Sequence, residues 1–350
     1  MRARSGRILA TVGTAVVGAV CLAAVVTAGS AAAVPRSGST TLTLYNAQHE
    51  ETTDSLVSAF EKQTGIQVKT RNGDEGEFDA QIEQEGSASP ADVIYTENSP
   101  PLMALEEQGK LAKVTDSTLA AVPSQYNSPQ GDWVGVSARV SCLVYNTDQL
   151  KASDVPTSVM DLADKKWKGK LALAPTETDF QPIVTSIERA KGKAAAETWL
   201  RAVKANASGH IYPDNETLVT DVNRGQAEIG VINHYYWYRL VGENGKTSVH
   251  SAIAYFAPKD LGYLVDVSGA AVLKSSDHQA AAQKFLAFLV SPQGEAVLAK
   301  GASYEYPVGS GVAPNPVLPP FSQVDPAPLT IAQLGDGAAA IKLLQKVQLL

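Results

Sequence analysis

From residue 41 onward the chain alternates short apolar runs of period two with stretches whose apolar residues recur every three or four positions. Residues 41–47 (TLTLYNA) alternate as a strand does. The following stretch places Leu56, Val57 and Phe60 on one helical face and meets Gly65 where a helix would stop. Residues 66–70 predict a second strand, 77–85 a helix, 92–97 (DVIYTE) a third strand and 100–108 another helix. The second half repeats the pattern. A strand is predicted over 171–174, a long helical region over 181–206, a strand over 210–213, a helix over 218–223 and a clear strand over 227–233 (AEIGVIN). Residues 309–328 are rich in Pro and Gly and predict a surface connector, and 338–350 predict a closing helix. This alternation predicts an α/β fold of mixed, mostly parallel sheets flanked by helices. No fixed-period repeat is visible, which excludes solenoids and propellers.

Length allows two cores: 350 residues exceed what one hydrophobic core usually serves. Apolar residues make up 44% and charged residues 19%, an ordinary globular composition. The N-terminus reads as an export signal, with Arg2, Arg4 and Arg7 ahead of an apolar run over 8–27 and small residues at Ala31, Ala32 and Ala33. Cleavage is expected near Ala33, making 1–33 a signal peptide. Cys21 lies inside the apolar run, followed by Leu22, which disfavours a lipid anchor there. Loss of the three arginines takes the formal charge from −7 to about −10, a poor surface for nucleic acid. Cys142 then remains alone in an apolar run and reads as a small buried hydrophobe.

In sheets of this kind ligands bind beyond strand C-terminal ends. Three loci carry metal-compatible side chains there: His49 after the first strand, Glu97 at the end of the third, and Tyr235 with Tyr236 after the strand ending at Asn233. Singly, each has a plainer reading as loop histidine, helix-capping acid or aromatic patch. Together, two phenolates, a carboxylate and an imidazole suit a hard trivalent cation, and no thiolate accompanies them. At the first turn of a helix the macrodipole would favour the phenolate form. Adjacent tyrosines also converge most easily where a strand ends, because successive strand residues point to opposite faces.

The stretches YNAQHE, VIYTE, WVGVSAR leading into LVYNT, KWKGKLALAPT, INHYYWYRL and EYPV run through nearly the whole mature chain. In them the chain resembles the ferric-ion-binding proteins of bacterial iron transporters. That resemblance implies a two-lobed periplasmic-binding-protein fold of type II, with His49, Glu97, Tyr235 and Tyr236 as ligands of Fe(3+). It implies a synergistic anion, phosphate or carbonate, held by Asn215, Asn233 and Thr178. The chain departs from the family in its anion loop, where Glu177 and Asp179 would repel phosphate. Either carboxylate is expected to modify or replace the anion, with Arg139 and His234 as modifying or supporting residues and His234 as a hydrogen-bond donor. The lobes are expected at 40–138 with 268–318 and at 139–267 with 319–350. The chain would cross between them near 136–140 and 265–269 and again at the Pro-rich connector, and iron would bridge the cleft by hinge closure.

The implied function is that of an exported monomer that captures ferric ion or a ferric chelate and delivers it to an ABC permease. A relative of the same fold tuned to an organic anion, phosphonate, thiamine or polyamine is the alternative. An enzyme is not expected: there is no HExxH, no G-x-S-x-G and no phosphate-binding loop, and the five histidines lack close ligand spacing.

Overall fold

The computed structural model describes residues 40–309 and 311–350. The signal segment, Cys21 and the cleavage region lie outside them. Strand β1 (Thr41–Ala47) buries Leu42 and Leu44. Helix α1 (Glu50–Thr64) follows, with Leu56, Val57 and Phe60 buried as their spacing predicts. It ends at Gly65, whose left-handed φ of 72° lets its N–H donate to the Glu61 carbonyl at 2.8 Å. The chain continues through β2 (Gln67–Asn72), α2 (Glu75–Glu85), β3 (Val93–Thr96), α3 (Ser99–Glu107), the short α4 (Asp116–Leu119) and β4 (Val134–Asn146).

The second half holds β5 (Leu171–Ala172), α5 (Gln181–Lys191), α6 (Lys193–Asn206), α7 (Asn215–Asn223), β6 (Ile229–Asn233), α8 (His234–Asn244) and β7 (Ser251–Ala254). Then come β8 (Val265–Val272), α9 (Gln279–Leu289), α10 (Pro292–Lys300), β9 (Tyr306–Pro307), α11 (Ile331–Leu334) and α12 (Ala338–Lys346). Among the described residues no helix is long and apolar enough to cross a membrane.

Three element expectations need correction. The helical region over 181–206 is two helices, broken at Gly192 where φ is 85°. Residues 210–213 are not a strand: only the Leu173–Ile211 bridge forms, between Gly209 at φ 89° and Pro213, which has no N–H to donate. The closing helix stops at Lys346, and Gln348 takes a φ of 61° that a helix cannot accommodate.

The strands form one path, β2-β1-β3-β8-β4-β6-β5, with β7 and β9 also paired to β4. The β1–β2, β1–β3 and β5–β6 pairs are parallel. Both β3 and β4 run antiparallel to β8, and β4 runs antiparallel to β6, β7 and β9. The sheets are therefore mixed, but not mostly parallel among the described strands, because β4 and β8 enter against their neighbours. Strand β4 joins the two halves: residues 134–140 pair with β8, and 141–146 pair with β6 and β7. All 13 of its residues are buried. Alternation divides its side chains, Cys142 and Val144 entering the smaller apolar cluster under α8 while Leu143 and Tyr145 enter the larger one. Cys142 is thus the buried hydrophobe expected. Near the bulge in β4, Gly135 allows a close approach, since a Cβ there would lie 2.2 Å from the Tyr126 carbonyl oxygen.

Candidate metal site in the cleft

Each of the three loci is aimed by its local structure. Beyond β1, Asn46 folds the loop: its amide donates to the Gln48 carbonyl at 2.7 Å and its Oδ1 accepts from the Thr53 hydroxyl at 2.8 Å. Gln48 Oε1 accepts the N–H of His49 at 2.8 Å, which places His49 at the start of α1. Beyond β3, the Thr96 hydroxyl donates to the Asn98 carbonyl at 2.7 Å, and the Asn98 N–H donates to Glu75 at 2.6 Å. The turn turns Glu97 inward. It does not cap α3, whose first turn follows Asn98. Beyond β6, Tyr235 and Tyr236 occupy the first turn of α8, the position their strand-end location predicts, and both are buried.

The four side chains meet at one oxygen. Glu97 Oε1 accepts a hydrogen bond from the Tyr235 hydroxyl and lies 3.4 Å from the Tyr236 hydroxyl and 3.1 Å from His49 Nε2. The His49 nitrogen is within ion-pairing distance but is not aligned as a hydrogen-bond donor to any neighbour. The tyrosine rings lie 4.2 Å apart, and the His49 ring stands edge-on to them at 5.3 and 5.9 Å. Residues almost 190 positions apart thus present one imidazole nitrogen, one carboxylate and two phenol oxygens to a single point.

The electrostatics describe a site short of positive charge. Burial opposes ionisation of Glu97, yet the charge of His49, its contact and the charge of Arg139 outweigh it and hold the carboxyl well below the usual range. Burial lowers and the Glu97 charge raises the pKa of His49, with a net increase. Burial and then the charge of Glu97 push Asp179 up, and push Glu75 up to about 8. Burial and then Asp179 push Glu177 up to about 9. Burial, then Asp179 and Glu97, raise both tyrosines well above their ordinary value. A cation seated among the four side chains His49, Glu97, Tyr235 and Tyr236 would reverse these penalties, because its charge favours every anionic form around it.

The remaining expected residues divide. Asp179 is buried, with Oδ2 3.1 Å from the Asn215 amide and 3.4 Å from the Tyr235 hydroxyl, while its Oδ1 has no partner. Asn233 is buried at the junction of β6 and α8. Thr178 uses its hydroxyl on Glu75. Glu177 is half-buried and lines, with Glu75 and Thr178, a cavity of about 430 Å³ beside Glu97. His234 packs against β4 and Tyr306. Its Nδ1 accepts the Val140 N–H at 3.2 Å, its ring stacks on Tyr306 at 5.0 Å, and burial holds its pKa down to about 3. It is therefore a neutral imidazole whose Nδ1 accepts from β4 and whose Nε2 carries the remaining proton. Arg139 is fully buried and donates to the Glu97 carbonyl and to Glu305.

Four participants escaped the sequence reading. Glu75 ties Asn98 to Thr178, Glu305 pairs with Arg139, Glu216 comes within 4.0 Å of His49 Nδ1, and Arg239 pairs with Glu51 at 3.3 Å. Glu305 and Arg239 lay in stretches already of interest, EYPV and INHYYWYRL, Glu305 beside apolar residues that argue for its burial.

Comparison with known proteins extends over the same elements. The bacterial extracellular solute-binding protein family matches residues 88–327. A relative from Serratia marcescens named Fe(3+)-binding periplasmic protein is 40% identical over 309 residues, 88% of this chain and 90% of its own length. The major ferric iron-binding protein of Neisseria meningitidis serogroup B is 35% identical over 310 residues, 87% of this chain and 92% of its own. Among solved structures, iron-bound HitA from Pseudomonas aeruginosa superposes with a TM-score of 0.84 at 44% identity, covering 88% of this chain and 99% of its own. An alignment of this extent runs through both halves of the fold and the strand joining them, so the chain belongs to the bacterial extracellular solute-binding proteins, among the ferric-ion-binding members with the two-lobed type II fold.

Proposed function

We propose that this protein captures ferric ion in the cleft between its lobes and hands it to an ABC-type permease. The observation that carries the reading is the convergence of His49, Tyr235 and Tyr236 on one oxygen of Glu97. Imidazole, carboxylate and two phenols form a hard donor set, and a trivalent cation is the ligand best able to displace phenolic protons. The names of the curated relatives agree with that cargo. The protein acts as a binder, not an enzyme: its relatives are solute-binding transport proteins.

His49 and Glu97 follow β1 and β3, whereas Tyr235 and Tyr236 follow β6, on the other side of the shared strand β4. Iron bound by all four would favour the closed form through contacts that opening breaks. The hinge falls where β4 passes from one sheet to the other and where β8 begins beside it, around 136–140 and 265–269. The lobes are 40–138 with 268–318 and 139–267 with 319–350. Asp179 takes the part of the synergistic anion: its carboxylate already engages Asn215 and leaves one buried oxygen free. Phosphate or carbonate would compete with it for that place. The leader over 1–33 directs export and is removed near Ala33, and Cys21 leaves with it.

The test is a visible spectrum of the mature protein titrated with ferric citrate, repeated with Tyr235→Phe and Tyr236→Phe. A tyrosinate-to-iron band that saturates at one iron per chain and fades in both variants is expected. Absence of any band in the native protein, with citrate excluded as the stronger chelator, would overturn the ferric reading and favour an organic ligand.

A further inference from the structure

Arg139 and Glu305 are both wholly buried, an expensive arrangement for two ions. An arginine cannot escape the cost by losing its proton. Apolar residues of similar volume often serve stability as well as a buried ion pair does. The contacts of the pair suggest what apolar residues would not supply. Arg139 Nη1 donates to the backbone carbonyl of Glu97 and lies 3.5 Å from Asn98 Oδ1. Its Nη2 donates to Glu305. Its guanidinium carbon stands 5.2 Å from the centroid of the Tyr235 ring. Glu305 also accepts from the Ser137 hydroxyl and, at 3.4 Å on each oxygen, from the Gln48 amide. The other end of that amide, Gln48 Oε1, holds the N–H of His49.

One buried cation therefore touches Glu97 and Tyr235 directly and reaches His49 through two side chains. It does so from the place where β4 changes partners, since Arg139 pairs with Asp266 of β8 and Ser141 pairs with Asn233 of β6. We infer that Arg139, neutralised by Glu305, is a positioning residue that orients Glu97, Tyr235 and His49 toward one metal and links the arms of the site across the strand crossing. The inference rests on the ferric reading above. Glu305 is needed because an unpaired guanidinium beside the site would repel the cargo.

Two consequences follow that a merely structural pair would not produce. A cation beside a phenolate stabilises the ring electrons, so removing it lowers the energy of charge transfer to iron and moves the band to longer wavelength. Loosened ligands also release iron faster. The test compares wild type with Arg139→Lys and with the double variant Arg139→Gln/Glu305→Gln, which leaves no buried charge unpaired. The band maximum and the rate of iron loss to excess EDTA are measured, with apo-protein melting as the control for folding.

The double variant is expected to show a longer-wavelength band and release about tenfold faster, the loss of one charge-assisted hydrogen bond. Arg139→Lys keeps the charge but not the fork, so its band should stay near wild type while release quickens. A folded double variant with wild-type band and release rate overturns the inference. Should the double variant fail to fold, an Arg139→Lys protein that releases iron at the wild-type rate overturns it instead. A wild-type band with unmoved variants removes only this inference; no wild-type band removes the ferric reading and this inference with it.

Discussion

Truncation of Asp179 to alanine examines the anion site most directly. The carboxylate stands 3.4 Å from the Tyr235 hydroxyl and 3.1 Å from the Asn215 amide, with burial and the nearby Glu97 raising its pKa. Beside a bound cation, about 4 Å away at an effective dielectric near 20, each unit of opposite charge is worth about 4 kcal/mol to the carboxylate, set against its repulsion from the Tyr235 phenolate. Much of this is offset by the several kcal/mol that desolvation of a buried carboxylate costs. The net loss on truncation should be about 2–3 kcal/mol, a ferric affinity weaker by roughly thirty- to more than a hundredfold. Truncation also opens room beside Asn215, and small anions should restore what was lost. The assay is iron binding by the charge-transfer band in phosphate-free buffer, with phosphate or formate then added. Wild type should be indifferent to either anion and should carry no stoichiometric phosphate when iron-loaded; Asp179→Ala should be rescued. Equal affinity of the two proteins without added anion, or phosphate retained by the wild type, would refute the reasoning.

Other expectations are as direct. Thr178→Val removes the hydroxyl that reaches Glu75 without changing side-chain volume much; iron affinity should fall about five- to tenfold, as for one hydrogen bond, with an unmoved band maximum in the same titration. Glu295 is wholly buried away from the cleft, and burial pushes its pKa up to about 8 from an ordinary 4.5. The folded state therefore holds its proton where the unfolded chain has lost it. The associated stability is complete below pH 4.5 and is lost as pH rises toward 8, by up to about 5 kcal/mol at 1.36 kcal/mol per unit. Urea melts of Glu295→Gln between pH 5 and 9 should show a flatter profile than wild type; parallel profiles would contradict this. Gly135→Ala should destabilise the fold by about 1–3 kcal/mol in thermal or urea melts, because the new methyl meets the Tyr126 carbonyl oxygen.

Local periodicity identified most elements because each carries its own evidence. The apolar face of α1 with Gly65 after it, the alternation of β1 and the run 229–233 need no distant partner to be read. The reading failed where a local signal was weak or a partner decided. Residues 210–213 had strand-like composition but found only one bridge. The antiparallel direction of β8 follows from where the chain returns, which composition does not encode.

For the site, the sequence by itself offered candidate donors. His49, Glu97 and the tyrosine pair stand just beyond strand ends, their chemistry suits a hard cation, and the resemblance to ferric-ion-binding proteins implied them as a set before any distance was known. Tertiary structure decided what those donors do together. Only the crossing of β4 from one sheet to the other brings Glu97 to Tyr235, 138 positions away, and seats Arg139 between them. It also decided that Asp179 reaches Asn215, that Thr178 is committed to Glu75, and that His234 Nδ1 accepts from β4. The physical reason is range. Helical and strand periodicity express interactions between near neighbours in the chain, whereas burial, charge pairing and the meeting of ligands depend on which surfaces the fold brings together.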